Sequence, residues 1–165
     1  MIRVIINTDG LCEPNPGGLA CYGWIARDEA TGKTLKSHNA RVNQTNTTNN
    51  LAEYFALENA LAWVWSKAEY FAAHGREVVI RADSKLVVCQ VKGEWACKSE
   101  TLWDVLRDCK VLIRCIEKAG VPVSLEWVPR EKNTEADELS RRAYREATGH
   151  DVPERPAWQR KKVKA

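Results

Sequence analysis

Four acids stand where this sequence predicts a strand to end or a helix to begin. Asp9 follows the apolar run IRVIINT, Glu53 lies three residues after Asn50 at the start of a helical pattern, Asp83 follows the run EVVIRA, and Asp137 lies three residues after Thr134. Each has a structural alternative. Asp9-Gly10 is a turn signal, Asn50 with Glu53 and Thr134 with Asp137 have capping-box spacing, and an acid at position 83 could cap the helix that follows. As a set they imply chemistry. Ionised carboxylates gathered at one end of a sheet repel one another strongly in a partly desolvated site, and cations are what make such a cluster tolerable. An all-oxygen ligand set suits the hard ions Mg2+ and Mn2+. Two such ions roughly 3.5–4 Å apart activate water and stabilise the leaving oxygen of an in-line phosphoryl displacement.

The elements that must position these acids follow from hydrophobic periodicity and punctuation. Residues 2–8 read as a strand, followed by Asp9-Gly10 and a Gly- and Pro-rich loop, GLCEPNPGG. Runs at 20–27 and 33–42 straddle the turn signal Thr31-Gly32 and predict an antiparallel meander. From Asn50 to Ala73, Leu57, Leu61, Val64, Ala68 and Phe71 recur at helical spacing, and Gly75 ends the pattern. A strand at 77–82, helices at 84–91 and 99–119, a strand at 123–128 and a helix at 134–147 complete the order βββαβααβα. That order predicts an α/β fold with a mixed five-stranded sheet and helices on both faces. Ligands of open α/β sheets bind at strand ends, where the acids fall.

The chain has 165 residues, 44% hydrophobic and 28% charged, a balance that suits one folded domain able to stand as a monomer. No apolar run is long enough to span a bilayer, and the opening MIRVIINTDG lacks the features of a secretory signal. A cytoplasmic location is the expectation. The six cysteines contain no C-x-x-C pair, which disfavours zinc and leaves them as small buried side chains. The net charge of +3 is compatible with a polyanionic partner. Of the three histidines, His38 and His74 are expected on the surface, with His150 near the last helix.

The strings NTDGLCEPNPGG, TTNNLAEYFAL, IRADSKLVV and WVPREKNTEADELS resemble, in order and spacing, the four active-site motifs of the type 1 ribonuclease H family. The resemblance covers residues 1–147, read as a catalytic domain, and leaves 148–165 as a basic tail. It implies an endoribonuclease that hydrolyses the RNA strand of RNA/DNA hybrids with two divalent ions, leaving 5′-phosphate and 3′-hydroxyl ends. Asp9, Glu53, Asp83 and Asp137 would be the catalytic, metal-binding acids. Asn15, Thr48, Asn49 and Asn50 match positions that contact sugar and phosphate, and short amides and hydroxyls suit a 2′-hydroxyl or a phosphate oxygen.

The sequence departs from the family in two places. Many members carry a histidine in the loop before the last acid, where it assists proton transfer or product release; here the loop reads PREKN, with Glu131 as the nearest substitute. Some members insert a long basic helix and loop after the third acid, whereas QVKGEWACKSE alone joins the two helices here. Lys85 could reach a phosphate, Trp95 could stack on the DNA strand, and Arg155, Arg160, Lys161, Lys162 and Lys164 of the tail could add charge. A binding module that has lost catalysis is disfavoured by the complete set of acids. The NPGG and TTNN segments favour a hybrid nuclease over the related resolvases, transposases and exonucleases.

Overall fold

The computed structural model describes residues 1–154; the tail cations Arg155, Arg160, Lys161, Lys162 and Lys164 lie outside the described residues. Five strands, β1 (Ile2–Glu13), β2 (Leu19–Asp28), β3 (Thr34–Arg41), β4 (Arg76–Ala82) and β5 (Val123–Trp127), form one sheet in the order β3-β2-β1-β4-β5. β1 to β3 form an antiparallel meander, while β4 and β5 add in parallel on the other side of β1. The helices are α1 (Asn49–Ala73), α2 (Lys85–Val91), α3 (Glu100–Lys118) and α4 (Thr134–Thr148), with a short 3-10 turn, Arg130–Lys132, before α4. This is the expected βββαβααβα order. Among the described residues no helix is long and apolar enough to cross a membrane.

The central strands are apolar on both faces because both are covered. Val4 and Ile6 of β1, with Val78 and Ile80 of β4, pack against Leu57, Leu61 and Val64 of α1. α1 is sandwiched between the sheet and α3, so buried residues occupy most of its circumference up to Leu61 and narrow to the stripe Val64, Ala68 and Phe71 beyond it. Val87 and Val91 of α2, and Leu102, Val105 and Ile116 of α3, extend the same core. The opposite face is covered by α4, where Cys21 of β2 packs on Ala143 and Tyr144. Leu11, Leu19 and Val152 border this second cluster, so the chain just past α4 folds back onto the sheet. All six cysteines are free, and Cys12, Cys21, Cys89 and Cys109 are buried.

Three local expectations change. First, Asp9-Gly10 makes no turn: β1 continues through Glu13, pairing Asp9 with Gly23 and Gly10 with Tyr22. Tertiary packing explains the glycine. A Cβ on Gly10 would stand 2.4–2.6 Å from backbone atoms of Ala52 and Glu53 in α1. Gly23 plays the same part on the other face, where a Cβ would meet Leu139 Cβ at 2.5 Å and Ser140 N at 2.8 Å in α4. Second, α1 is capped by Thr48, whose hydroxyl accepts from the Leu51 N–H at 3.1 Å, and not by Asn50, and Asn133 rather than Thr134 holds the cap position of α4. Third, His38 is only partly exposed, lying beside the rings of Tyr22 and Trp24, and burial followed by repulsion from Lys36 lowers its pKa.

Gly10→Ala is expected to lower folding stability by about 1–3 kcal/mol through overpacking. Urea unfolding measures it, and an unchanged midpoint would show that α1 does not press on β1 at this point.

Candidate active site

The geometry begins at the last pair of the parallel β1–β4 ladder, Thr8 with Ala82. Asp9 and Asp83 are the next residues after each strand's member of that pair, so they leave the ladder side by side, one strand spacing of ~4.8 Å apart. α1 contributes Glu53 from the turn that touches Gly10. One carboxylate oxygen from each of Asp9, Glu53 and Asp83 lies within 4.8 Å of the others. None of the three serves as a cap. Thr48 caps α1, and Ser84, whose hydroxyl accepts from the Val87 N–H at 3.3 Å, caps α2.

Asp9 and Glu53 are 5% and 8% exposed, and both titrate well above the ordinary carboxylate range. Burial is the main cause for Asp9, followed by repulsion from Asp83. For Glu53 burial again comes first, then repulsion from Asp9 and Asp83. Asp83 is raised by burial, while a hydrogen bond from Asn133 and the charge of Arg130 pull it back down. Asp137 approaches the group from α4, and its charge reaches Asp9 and Asp83. Its carboxylate, however, is held by Arg141 Nε at 3.1 Å and faces the Arg130 guanidinium at 3.8 Å. The three-acid group is therefore the tighter set, with the fourth acid beside it between two arginines.

A divalent cation fits this donor set. Only carboxylate oxygens are offered, and buried Glu53 Oε2 has no hydrogen-bond partner. An orphaned acceptor in a buried, mutually repelling cluster is stabilised by a hard ion.

The other sequence candidates lie on the loops and helix starts. Asn15 Oδ1 accepts from the Asn49 N–H at 3.0 Å, and Asn49 Oδ1 accepts from the Cys12 N–H at 2.7 Å. Thr48 is committed to its cap, while Asn50 is exposed. Lys85 stands with Nζ 5.8 Å from the ring centre of Trp127. Trp95 is half-exposed in the short connection between α2 and α3. Glu131 makes no ion pair among the described residues, so a bridge to Arg130 or Lys132 is absent there. Sequence reasoning missed Trp127, whose Nε1 donates to the Asp83 carbonyl at 3.2 Å, and the pair formed by half-buried Asn7 and buried Asn133. An asparagine immediately before a helix start was the available signal for Asn133.

A mixed sheet of this strand order, with acids side by side where β1 and β4 part, defines the ribonuclease H-like class of α/β fold. The chain matches the family model described as reverse transcriptase-like over residues 7–143. It is 30% identical over 139 residues to the bifunctional protein Rv2228c of Mycobacterium tuberculosis, a match spanning 84% of this chain and 35% of that protein. The chain thus spans about a third of the length of the curated relatives it matches. The N-terminal RNase H domain of Rv2228c superposes with a TM-score of 0.74 at 30% identity, covering 90% of this chain and 98% of that one. LC11-RNase H1, isolated from compost by a metagenomic approach and solved in complex with an RNA/DNA hybrid, gives a TM-score of 0.74 at 36% identity, covering 87% and 98%. The chain belongs to the type 1 ribonuclease H family.

The raised acids make a stability prediction for the metal-free protein. Below the ordinary carboxylate range, folded and unfolded chains both carry the protons. As pH rises, the unfolded chain ionises first, and folding loses stability through the raised folded values. Asp9→Asn keeps an acceptor for the Gly10 N–H, which Asp9 Oδ1 now holds at 2.9 Å, and removes one charge. In EDTA the variant should melt higher than wild type at about pH 8, with the difference shrinking towards about pH 4. A pH-independent difference would contradict the crowding of charge around Asp9.

Proposed function

We propose that this protein is an endoribonuclease that hydrolyses the RNA strand of RNA/DNA hybrids, leaving 5′-phosphate and 3′-hydroxyl ends. The observation that carries the proposal is the convergence of Asp9, Glu53 and Asp83, with Asp137 alongside, in a member of the ribonuclease H family. LC11-RNase H1, captured on an RNA/DNA hybrid, supports the substrate class. Two ions, Mg2+ or Mn2+ in its place, would supply an activated water and neutralise charge at the leaving oxygen. Asp9, Glu53, Asp83 and Asp137 would hold them.

The chain's own residues would orient the hybrid. Asn15 and Asn49 turn their amide oxygens inward to the loop, which leaves the Nδ2 donors for sugar and phosphate oxygens. Asn50 sits in the first turn of α1, where the helix dipole favours a phosphate. Thr48 contributes by fixing that first turn through its cap. Lys85, steadied over Trp127, would neutralise a phosphate near Asp83, and Trp95 would stack on the DNA strand. We read the basic tail, 148–165, as an electrostatic supplement to the domain of residues 1–147. The expected form is a monomer acting in the cytoplasm without an obligatory protein partner.

A labelled hybrid incubated with Mg2+, Mn2+ or EDTA, beside double-stranded RNA and DNA, tests the function. Cleavage of the RNA strand of the hybrid alone, abolished by EDTA, is expected; binding without cleavage would make the protein an inactive module. Asp9→Asn should lower turnover by on the order of 10²-fold or more while hybrid binding persists. Retention of at least half the wild-type rate would remove Asp9 from the site.

For the PREKN loop, the ions are proposed to act without a protein base at Glu131. Glu131→Gln should stay within tenfold of wild-type turnover at saturating Mg2+, because a positioned proton carrier is worth roughly 10²–10⁴-fold. A larger loss with folding intact would assign proton transfer to Glu131.

A further inference from the structure

Asn133 occupies the position that precedes the first turn of α4, where an asparagine side chain ordinarily accepts from the helix's own N–H groups. It makes no such cap bond. The side chain turns into the protein instead and is 1% exposed. Nδ2 donates to the Thr8 carbonyl at 2.8 Å and to Asp83 Oδ2 at 3.1 Å, while Oδ1 accepts from Asn7 Nδ2 at 3.0 Å. The Thr8 carbonyl can only accept, so the amide orientation is determined by its partners. Both Nδ2 hydrogens and one Oδ1 lone pair are in use.

These bonds reach three of the four acids. The Thr8 carbonyl belongs to the residue before Asp9. Asp83 is bonded directly. The carbonyl of Asn133 accepts the Asp137 N–H at 3.1 Å, so Asp137 follows wherever Asn133 is placed. We propose that Asn133 is the positioning residue of the acid group, with Asn7 fixing its amide, and that its particular task is to set the rotation of the Asp83 carboxylate.

The physical reason lies in the Asp83 side chain. The terminal torsion of an aspartate is broad, so an unrestrained carboxylate samples many orientations. Trp127 fixes the Asp83 backbone carbonyl but leaves that torsion free. The Nδ2 bond to Oδ2 removes the freedom and determines how the other oxygen faces Asp9 and Glu53. A bond to Thr8 alone would suffice to dock the start of α4 on β1; the second hydrogen, given to Asp83, is what a docking role does not require. Partners that orient metal ligands typically change ion affinity by 10–100-fold.

The inference rests on the proposed ion site, and titration calorimetry with Mn2+ separates the two. Wild type, Asn133→Ala and Asn7→Ala are compared well below their melting temperatures, with hybrid cleavage measured in parallel. Asn133→Ala should bind Mn2+ roughly tenfold or more weakly, with a smaller loss in Asn7→Ala, and the KM for hybrid at saturating Mn2+ should be unchanged. A lower melting temperature with wild-type Mn2+ affinity would reduce Asn133 to a docking residue and overturn the inference alone. Absence of Mn2+ binding in wild type would overturn both the inference and the ion site. If Asn133→Ala does not fold, Asn7→Ala decides by the same criterion.

Discussion

Everything at the acid centre depends on two helices touching the sheet at two adjacent rungs. At the pairing of Asp9 with Gly23, α4 presses on the sheet from one side, and at the adjacent Gly10, α1 presses from the other. Side chains at these two positions would hold both helices off the sheet and carry Glu53 and Asp137 away from Asp9. The core packs well only if the helices lie at that depth, so hydrophobic burial supplies the force and the two glycines set the distance.

That force acts against electrostatics. Asp9, Glu53 and Asp83 are brought together with little water and with like charges, and burial and repulsion raise their proton affinities. A folded state that holds such a group has stability in reserve for a ligand, because an ion that neutralises it binds the folded chain and not the unfolded one. The surrounding polar side chains limit the disorder that repulsion would otherwise cause. Asn133 holds Asp83, and Arg141 holds Asp137.

The rim is built by the same economy of side chains. Thr47 accepts the Gly17 N–H through its carbonyl and donates its hydroxyl to the Gly18 carbonyl, while Asn49 and Asn15 complete the link between the 14–18 loop and α1. Residues matched to substrate contacts by resemblance therefore also close the loop, since an asparagine offers acceptor and donor on opposite sides of one amide. The Trp127 indole similarly bonds the Asp83 carbonyl and lies beneath Lys85.

Much of this molecule was legible in order along the chain. Periodicity marked all five strands and four helices, because burial of one face or of both leaves a repeat of two, of three to four, or a short apolar run. The acids were visible because carboxylates next to element boundaries are chemically conspicuous. What the chain order could not convey was why glycine follows Asp9: Asp-Gly reads locally as a turn, and only the backbone of α1 lying against β1 turns it into a point of contact. The caps were misassigned for a related reason. Spacing alone could not choose Thr48 over Asn50, or show that Asn133 faces Asp83 rather than its own helix, since these depend on which hydrogen-bond partners tertiary packing brings within reach. The identity of the reactive groups was thus a property of the sequence by itself. Their distances, raised proton affinities and supports were decided by tertiary structure, because repulsion and hydrogen bonding act over a few ångströms between residues 50 to 126 positions apart, as in the bonds of Asn133 to Asp83 and Asn7.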